Sequence, residues 1–142
     1  MKTTLILLTL LAMAFLWLAC KHPKYTPGYF PDVQLRWGHG GGITGRETTF
    51  TLLDNGQIFR LEQGGKLTET GRIKSKKAKE FYRQSEALGL SQVVFQYPGN
   101  TYQFMETVNG DAMRRISWGA KDHPVDPKIQ DLYNQLNALT GQ

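Results

Sequence analysis

Side chains able to do chemistry are sparse in this 142-residue chain, and the densest group surrounds a glycine run. Gly38, Gly40, Gly41, Gly42 and Gly45 fall within eight residues, with His39, Thr44 and Arg46 as the polar handles. Gly40-Gly41-Gly42-Ile43-Thr44-Gly45 has the two-glycine spacing of a phosphate-cradling loop. It lacks the Lys and the following Ser/Thr that bring charge and metal there. It also joins two predicted strands, not a strand and a helix. Two readings remain: a wide strand connection needing positive φ, or a mobile binding loop using His39, Thr44 and Arg46. The three histidines, His22, His39 and His123, show no i, i+4 ligand spacing, and zinc would need carboxylates from elsewhere. No metal or cofactor is expected. None of the four serines sits in Gly-x-Ser-x-Gly. Without a nucleophile–base constellation the chain is expected not to be an enzyme; a hydrolase would have to depend on His39 or His123.

A second group is basic. Arg72, Lys74, Lys76, Lys77, Lys79 and Arg83 oppose only Glu80, a local +5. Such a run reads as a solvated helix face. It also reads as an anionic-surface patch for an envelope protein or lipid headgroups, because cations near a helix start work against the helix dipole.

These groups need elements to hold them. Val33, Leu35 and Trp37 alternate with Gln34 and Arg36, a half-buried strand that the glycines from Gly38 onward should break. Thr48–Leu53 is a second strand, and Asn55-Gly56 is a strong hairpin signal. A two-residue turn there would pair Leu52 with Phe59 and Phe50 with Leu61, collecting the apolar residues on one face. After Gly64-Gly65, residues 66–72 return as an edge strand, with Glu62 facing Leu67 and Arg60 facing Glu69. Ser75 is placed to cap a helix carrying Ala78, Phe81, Ser85 and Leu88, which Gly89 ends. Thr101–Val108 and Ala112–Trp118 form a hairpin. A three-residue loop would set Phe104 against Ile116, Tyr102 against Trp118 and Glu106 against Arg114. Asp126-Pro127 opens a final helix with Ile129, Leu132, Tyr133, Leu136 and Leu139 on one stripe. The order β-β-β-β-α-β-β-α predicts an α+β fold: an antiparallel sheet of about six strands with two helices packed on one face.

The first twenty residues carry an address. Lys2 precedes an apolar run from Leu5 to Leu18 broken only by Thr9, and small Ala19 then precedes the sole cysteine, Cys20. This is the layout of a secretory signal peptide, and the run is shorter than the roughly 20 residues a spanning helix needs. Trp17-Leu18-Ala19-Cys20 resembles the lipobox of bacterial lipoproteins, with Trp17 where that family usually has leucine. The resemblance implies cleavage before Cys20, acylation of its thiol with palmitate-type chains, and attachment to a membrane. Acylation would also give a use to a cysteine that cannot form an internal disulfide. Lys21-His22-Pro23-Lys24 contains no Asp or Glu, which within that family implies an outer-membrane site facing the periplasm. The expected organisation is a signal peptide over 1–19, a lipidated tether over 20–31, and a single domain over 32–142. Without Lys2, 16 basic residues face 12 acidic ones, a formal +4. Nucleic acid is not an expected partner in that compartment.

The mature layout resembles small Bacteroidota lipoproteins. It is also similar to emfourin-like inhibitors of thermolysin-type proteases, on the strength of Gly41-Gly42-Ile43-Thr44-Gly45 after the first strand, the late strand pair with Tyr102, and the closing Leu/Tyr helix from Pro127 to Leu139. The signal peptide and the Asn55-Gly56 hairpin depart from that pattern. This second resemblance implies a protease-blocking surface. The expectation is therefore a non-enzymatic, membrane-anchored binding or scaffold module of the cell envelope, with an envelope protease inhibitor as the alternative.

Overall fold

The computed structural model describes residues 24–62 and 64–141. Its central strand, β1 (Val33–Gly41), does not end at Gly38 but continues through His39 and Gly40. The reason lies across the ladder. Gly38 and Gly40 stand opposite Phe104 and Tyr102 of β6 (Thr101–Asn109). A Cβ on Gly38 would come within 2.7 Å of Phe104 Cζ, and one on Gly40 within 2.6 Å of the Tyr102 hydroxyl. The two rings rest on bare backbone, so these glycines are strand residues that permit close approach and not breakers.

β1 pairs on its other edge with β2 (Glu47–Leu52), which is followed by β3 (Gln57–Leu61) and β4 (Leu67–Arg72). β7 (Ala112–Trp118) pairs with β6, and a short strand not foreseen from the sequence, β5 (Gln96–Tyr97), runs parallel to it. Among the described residues this makes one seven-stranded sheet, ordered β4-β3-β2-β1-β6-β7-β5. Helices α1 (Ser75–Ala87) and α2 (Pro127–Ala138) complete an α+β fold, with β4 at an edge as expected. Leu35, Trp37, Phe50, Leu52, Ile58, Met105 and Ile116 meet Ala78 and Phe81 of α1 and Leu132 and Leu136 of α2 in the core.

Each hairpin differs by one residue from its expected register. At Asn55-Gly56 the loop has three residues, not two. Leu53 N–H donates to Gln57 O, Gly56 N–H to Leu53 O, and Gly56 takes φ +93, a type I turn closed by a left-handed glycine. Leu52 consequently faces Ile58, Phe50 faces Arg60, and Thr51 faces Phe59. The expected register assumed that only one face of the sheet is covered. Residues just before β1 cover part of the other: the Phe30 ring lies 4.7 Å from that of Phe59. In the next hairpin Leu61 faces Leu67 and Phe59 faces Glu69, with an irregularity beyond Phe59. The β6–β7 loop has two residues, with Gly110 at φ +58 in its first position, so Phe104 faces Ser117 and Glu106 faces Arg115. Again both faces bury apolar groups, Met105 and Ile116 on one and Phe104 on the other.

The N-terminal segment corrects a further expectation. From Tyr25 onward the region read as an extended tether folds onto the sheet. Gln57 Oε1 accepts from Tyr25 N–H at 2.7 Å, and Gln57 Nε2 donates to Tyr25 O at 3.1 Å. Gln57 is fully buried, and the Asn55 side chain holds it from the turn.

The helix ends divide. Asp126 accepts from Lys128 N–H at 2.8 Å ahead of Pro127, the expected cap. Ser75 does not cap α1. The N-cap is Lys74, without a side-chain hydrogen bond, and Ser75 is the first helical residue. Ile73 N–H donates to Gly56 O, which fixes the helix entry by the backbone instead. From α1, the Tyr82 hydroxyl donates to Leu52 O at 2.6 Å and accepts from Leu35 N–H at 3.2 Å, adding a side-chain rung where β1 and β2 separate. Burial pushes this phenol well above its ordinary pKa. Tyr82→Phe would leave two buried backbone groups short of a partner, and is expected to destabilise the fold by about 1–3 kcal/mol. Urea unfolding checks this; an unchanged midpoint would mean that the rung contributes nothing.

Candidate functional site

The glycine run forms one end of the β1–β2 pair. Gly42 N–H donates to Asn100 O at 2.7 Å and Gly45 N–H to Gly42 O at 3.1 Å, which fixes a tight turn with Ile43 fully exposed at its tip. Beneath it is an open cavity of about 430 Å³. His39 and Arg46 line it together with Tyr102, Gln103, Trp118 and Gly119. Of the three loop handles expected from the sequence, His39 and Arg46 are thus brought together, and Thr44 stays on the turn outside the cavity.

Two polar networks adjoin the cavity, one through Trp118 and Gln103 and the other through Tyr102. On the helix side Trp118 Nε1–H is shared between Gln103 Oε1 at 2.9 Å and Gln130 Oε1 at 2.7 Å. Gln130 Nε2 in turn donates to Gln103 and to Asn134 of α2. On the opposite face Arg115 is the hub. It donates to Glu47 at 2.6 and 3.2 Å and to Glu106 at 3.1 Å, and its guanidinium lies 3.7 Å from the Phe104 ring centre. Tyr102 donates to Glu47 at 2.9 Å, and Arg36 reaches Glu106 at 3.8 Å. Burial would raise the Glu47 pKa, but the bonds from Arg115 and Tyr102 outweigh it and hold the carboxyl below its usual range. Glu47 as acceptor raises the Tyr102 phenol. Burial would lower Arg115, yet Glu47 and Glu106 hold it above its ordinary value.

This arrangement favours the ionised form of the Glu47 carboxyl. Glu47 accepts from Arg115, Tyr102 and, at 3.5 Å, Thr49, and Glu106, buried, lies between two arginines. His39 makes no ion pair among the described residues, whereas His123 stacks on Tyr97 at 4.0 Å and lies 3.2 Å from Asp122. Among the described residues no three His, Cys, Asp or Glu gather as a metal site would require. The Glu47–Arg115–Glu106 network was not foreseen. The two-residue Gly110-Asp111 loop, which sets Glu106 against Arg115, was the signal that could have revealed it.

The basic patch lies elsewhere and is smaller than its formal charge. Arg72 is bound to Glu69 at 3.0 Å and Arg83 is paired with Glu80. Lys74, Lys76, Lys77 and Lys79 form no ion pair among the described residues. Lys77 Nζ lies 4.9 Å over the Phe81 ring, while Lys76 and Lys79 border a groove with Ser75. Cys20 and His22 lie outside the described residues.

The depressed Glu47 pKa sets an acid dependence. Its stabilising contribution is complete above the ordinary Glu range near 4.5, and is lost as pH falls through the lower folded value. Thermal melts between pH 6 and roughly 3 are expected to fall less steeply for Glu47→Gln than for the unaltered protein. Parallel curves would remove Glu47 from the acid response.

The chain matches no family model and no curated protein.

Proposed function

We propose that this protein is a lipid-anchored module of the cell envelope that binds a partner and carries out no chemistry itself. The observation carrying this reading is the apolar run from Leu5 to Leu18 closed by Ala19 and the chain's sole cysteine. Two or three acyl chains on Cys20 would hold it on a membrane, since each buried methylene contributes about 0.8 kcal/mol and a single chain anchors only marginally. The absence of acidic residues over Lys21–Lys24 favours an outer-membrane site facing the periplasm. The charge pattern adds support for binding over catalysis: the closely spaced carboxylates Glu47 and Glu106 are both satisfied by arginine. The glycine turn with Ile43, and the cavity holding His39 and Arg46, are left as the surface for a partner.

The test is Cys20→Ser in the native host. The altered protein is expected to lose its membrane fraction and its acyl mass together; a variant that still sediments with membranes would remove lipidation as the anchor.

One observation favours a second reading, an inhibitor of envelope proteases. Ile43 is fully exposed on a turn bonded to Asn100, and an apolar side chain presented in this way suits insertion into a protease cleft. Incubation with metalloproteases of the same organism should then abolish their activity at micromolar ratios, and Ile43→Asp should restore it. Undiminished proteolysis with the unaltered protein would discard this reading.

A further inference from the structure

We propose that the lysine face of α1 rests on the anionic headgroups of the membrane that holds Cys20, so that the glycine turn points away from the bilayer. This rests on the lipid-anchored reading and adds an orientation to it. From Tyr25 onward the chain is held to the fold. Tyr25 is bonded in both directions to Gln57, which stands opposite Arg72, the last residue of β4. Ile73, bonded to Gly56 at the same hairpin, leads directly into Lys74 and α1. Lys24 is close enough to share the field around Glu69 with Arg72. The point where the chain leaves the described fold and the start of the basic helix therefore coincide.

Chain length does the rest. Three residues lie between Cys20 and Lys24, so four residue steps span at most about 14 Å when fully extended. The membrane surface is thus confined close to the end of the fold that carries Lys74, Lys76, Lys77 and Lys79. None of these lysines has an ion pair among the described residues, and with Lys24 they outweigh Asp54 and Glu86 nearby. A protein partner would have to fit into that same narrow gap, whereas lipid headgroups already fill it. Each lysine held near an anionic surface strengthens attachment about fivefold, an attraction that salt weakens. The glycine turn lies at the far end of β1, and eight residue steps of ~3.3 Å place it roughly 26 Å from Val33.

Because the chain has one cysteine, which acylation consumes, Ser75→Cys and Ile43→Cys each introduce a unique reactive thiol without removing a lysine. The full-length acylated variants, labelled there with a fluorophore, would be reconstituted into vesicles carrying a nitroxide on the lipid headgroup. With about one-third phosphatidylglycerol, the label at position 75 is expected to be quenched about threefold more than the label at 43. The difference should shrink in pure phosphatidylcholine, in high salt, and when Lys74, Lys76 and Lys79 are changed to Glu. Equal quenching at the two positions, or a difference insensitive to salt and charge reversal, would overturn the proposal. Anchorage is read separately. Cys20→Ser protein should bind phosphatidylglycerol vesicles in low salt and release from phosphatidylcholine. Failure to bind the anionic vesicles counts against the lysine face, whereas failure of the acylated chain to float with either lipid counts against anchorage.

Discussion

The approach of Phe104 and Tyr102 to the bare backbone of Gly38 and Gly40 is the contact on which the middle of this protein depends. β1 bonds to β2 on one side and β6 on the other, so both halves of the sheet meet at this strand. A Cβ at position 38 would come within 1.9 Å of Thr48 O as well as striking the Phe104 ring. With the rings seated, the Tyr102 hydroxyl reaches Glu47 and the Phe104 face receives the Arg115 guanidinium. The close packing of β1 on β6 and the charge network of the open face are consequences of the same two missing side chains. The glycine run thus has a structural task in its first half, and only its second half, Gly42 to Gly45, is a turn.

Apart from the two-residue β5, the order of elements was legible because each announces itself locally. Asp126-Pro127 specifies a helix start through one carboxylate and one ring, without reference to anything distant. Register was not legible, because it depends on which faces are covered. Assigning the apolar residues of β2 and β3 to one face presumed an open opposite face, yet Phe30 lies on Phe59 there. Phe30 belongs to a segment whose prolines and glycine suggest an extended chain, and nothing local to it specifies that it docks. The same one-residue displacement concealed the Glu106–Arg115 pair, since Glu106 was matched to Arg114. Of the candidate site, His39 and Arg46 could be found as loop residues; Trp118, Gln103 and Gln130 could not, because they meet only when α2 closes over β6 and β7.

Charge is distributed by function of place. Where carboxylates and arginines face each other on the sheet, they are paired and partly withdrawn from water, which contributes to specifying the strand arrangement more than to attraction at a distance. Where lysines at the start of α1 have no ion pair among the described residues, they remain exposed and available to an external field. A helix start lacking both an acidic first turn and a side-chain cap accepts a local cost. An anionic surface beneath it would relieve that cost.

The Tyr25–Gln57 clamp also determines how the domain would bear load. If the chain is anchored upstream of Lys24, tension would enter the fold at β3, which has β2 on one side and β4 on the other. It does not pull on the end of an exposed edge strand, from which a sheet could be peeled one bond at a time. Before force reaches β1, it must free the two backbone bonds at Tyr25 and draw Phe30 off Phe59. A domain fastened in this manner would act as a short post with a sacrificial latch at its base, yielding a few residues of slack before the sheet above it is loaded.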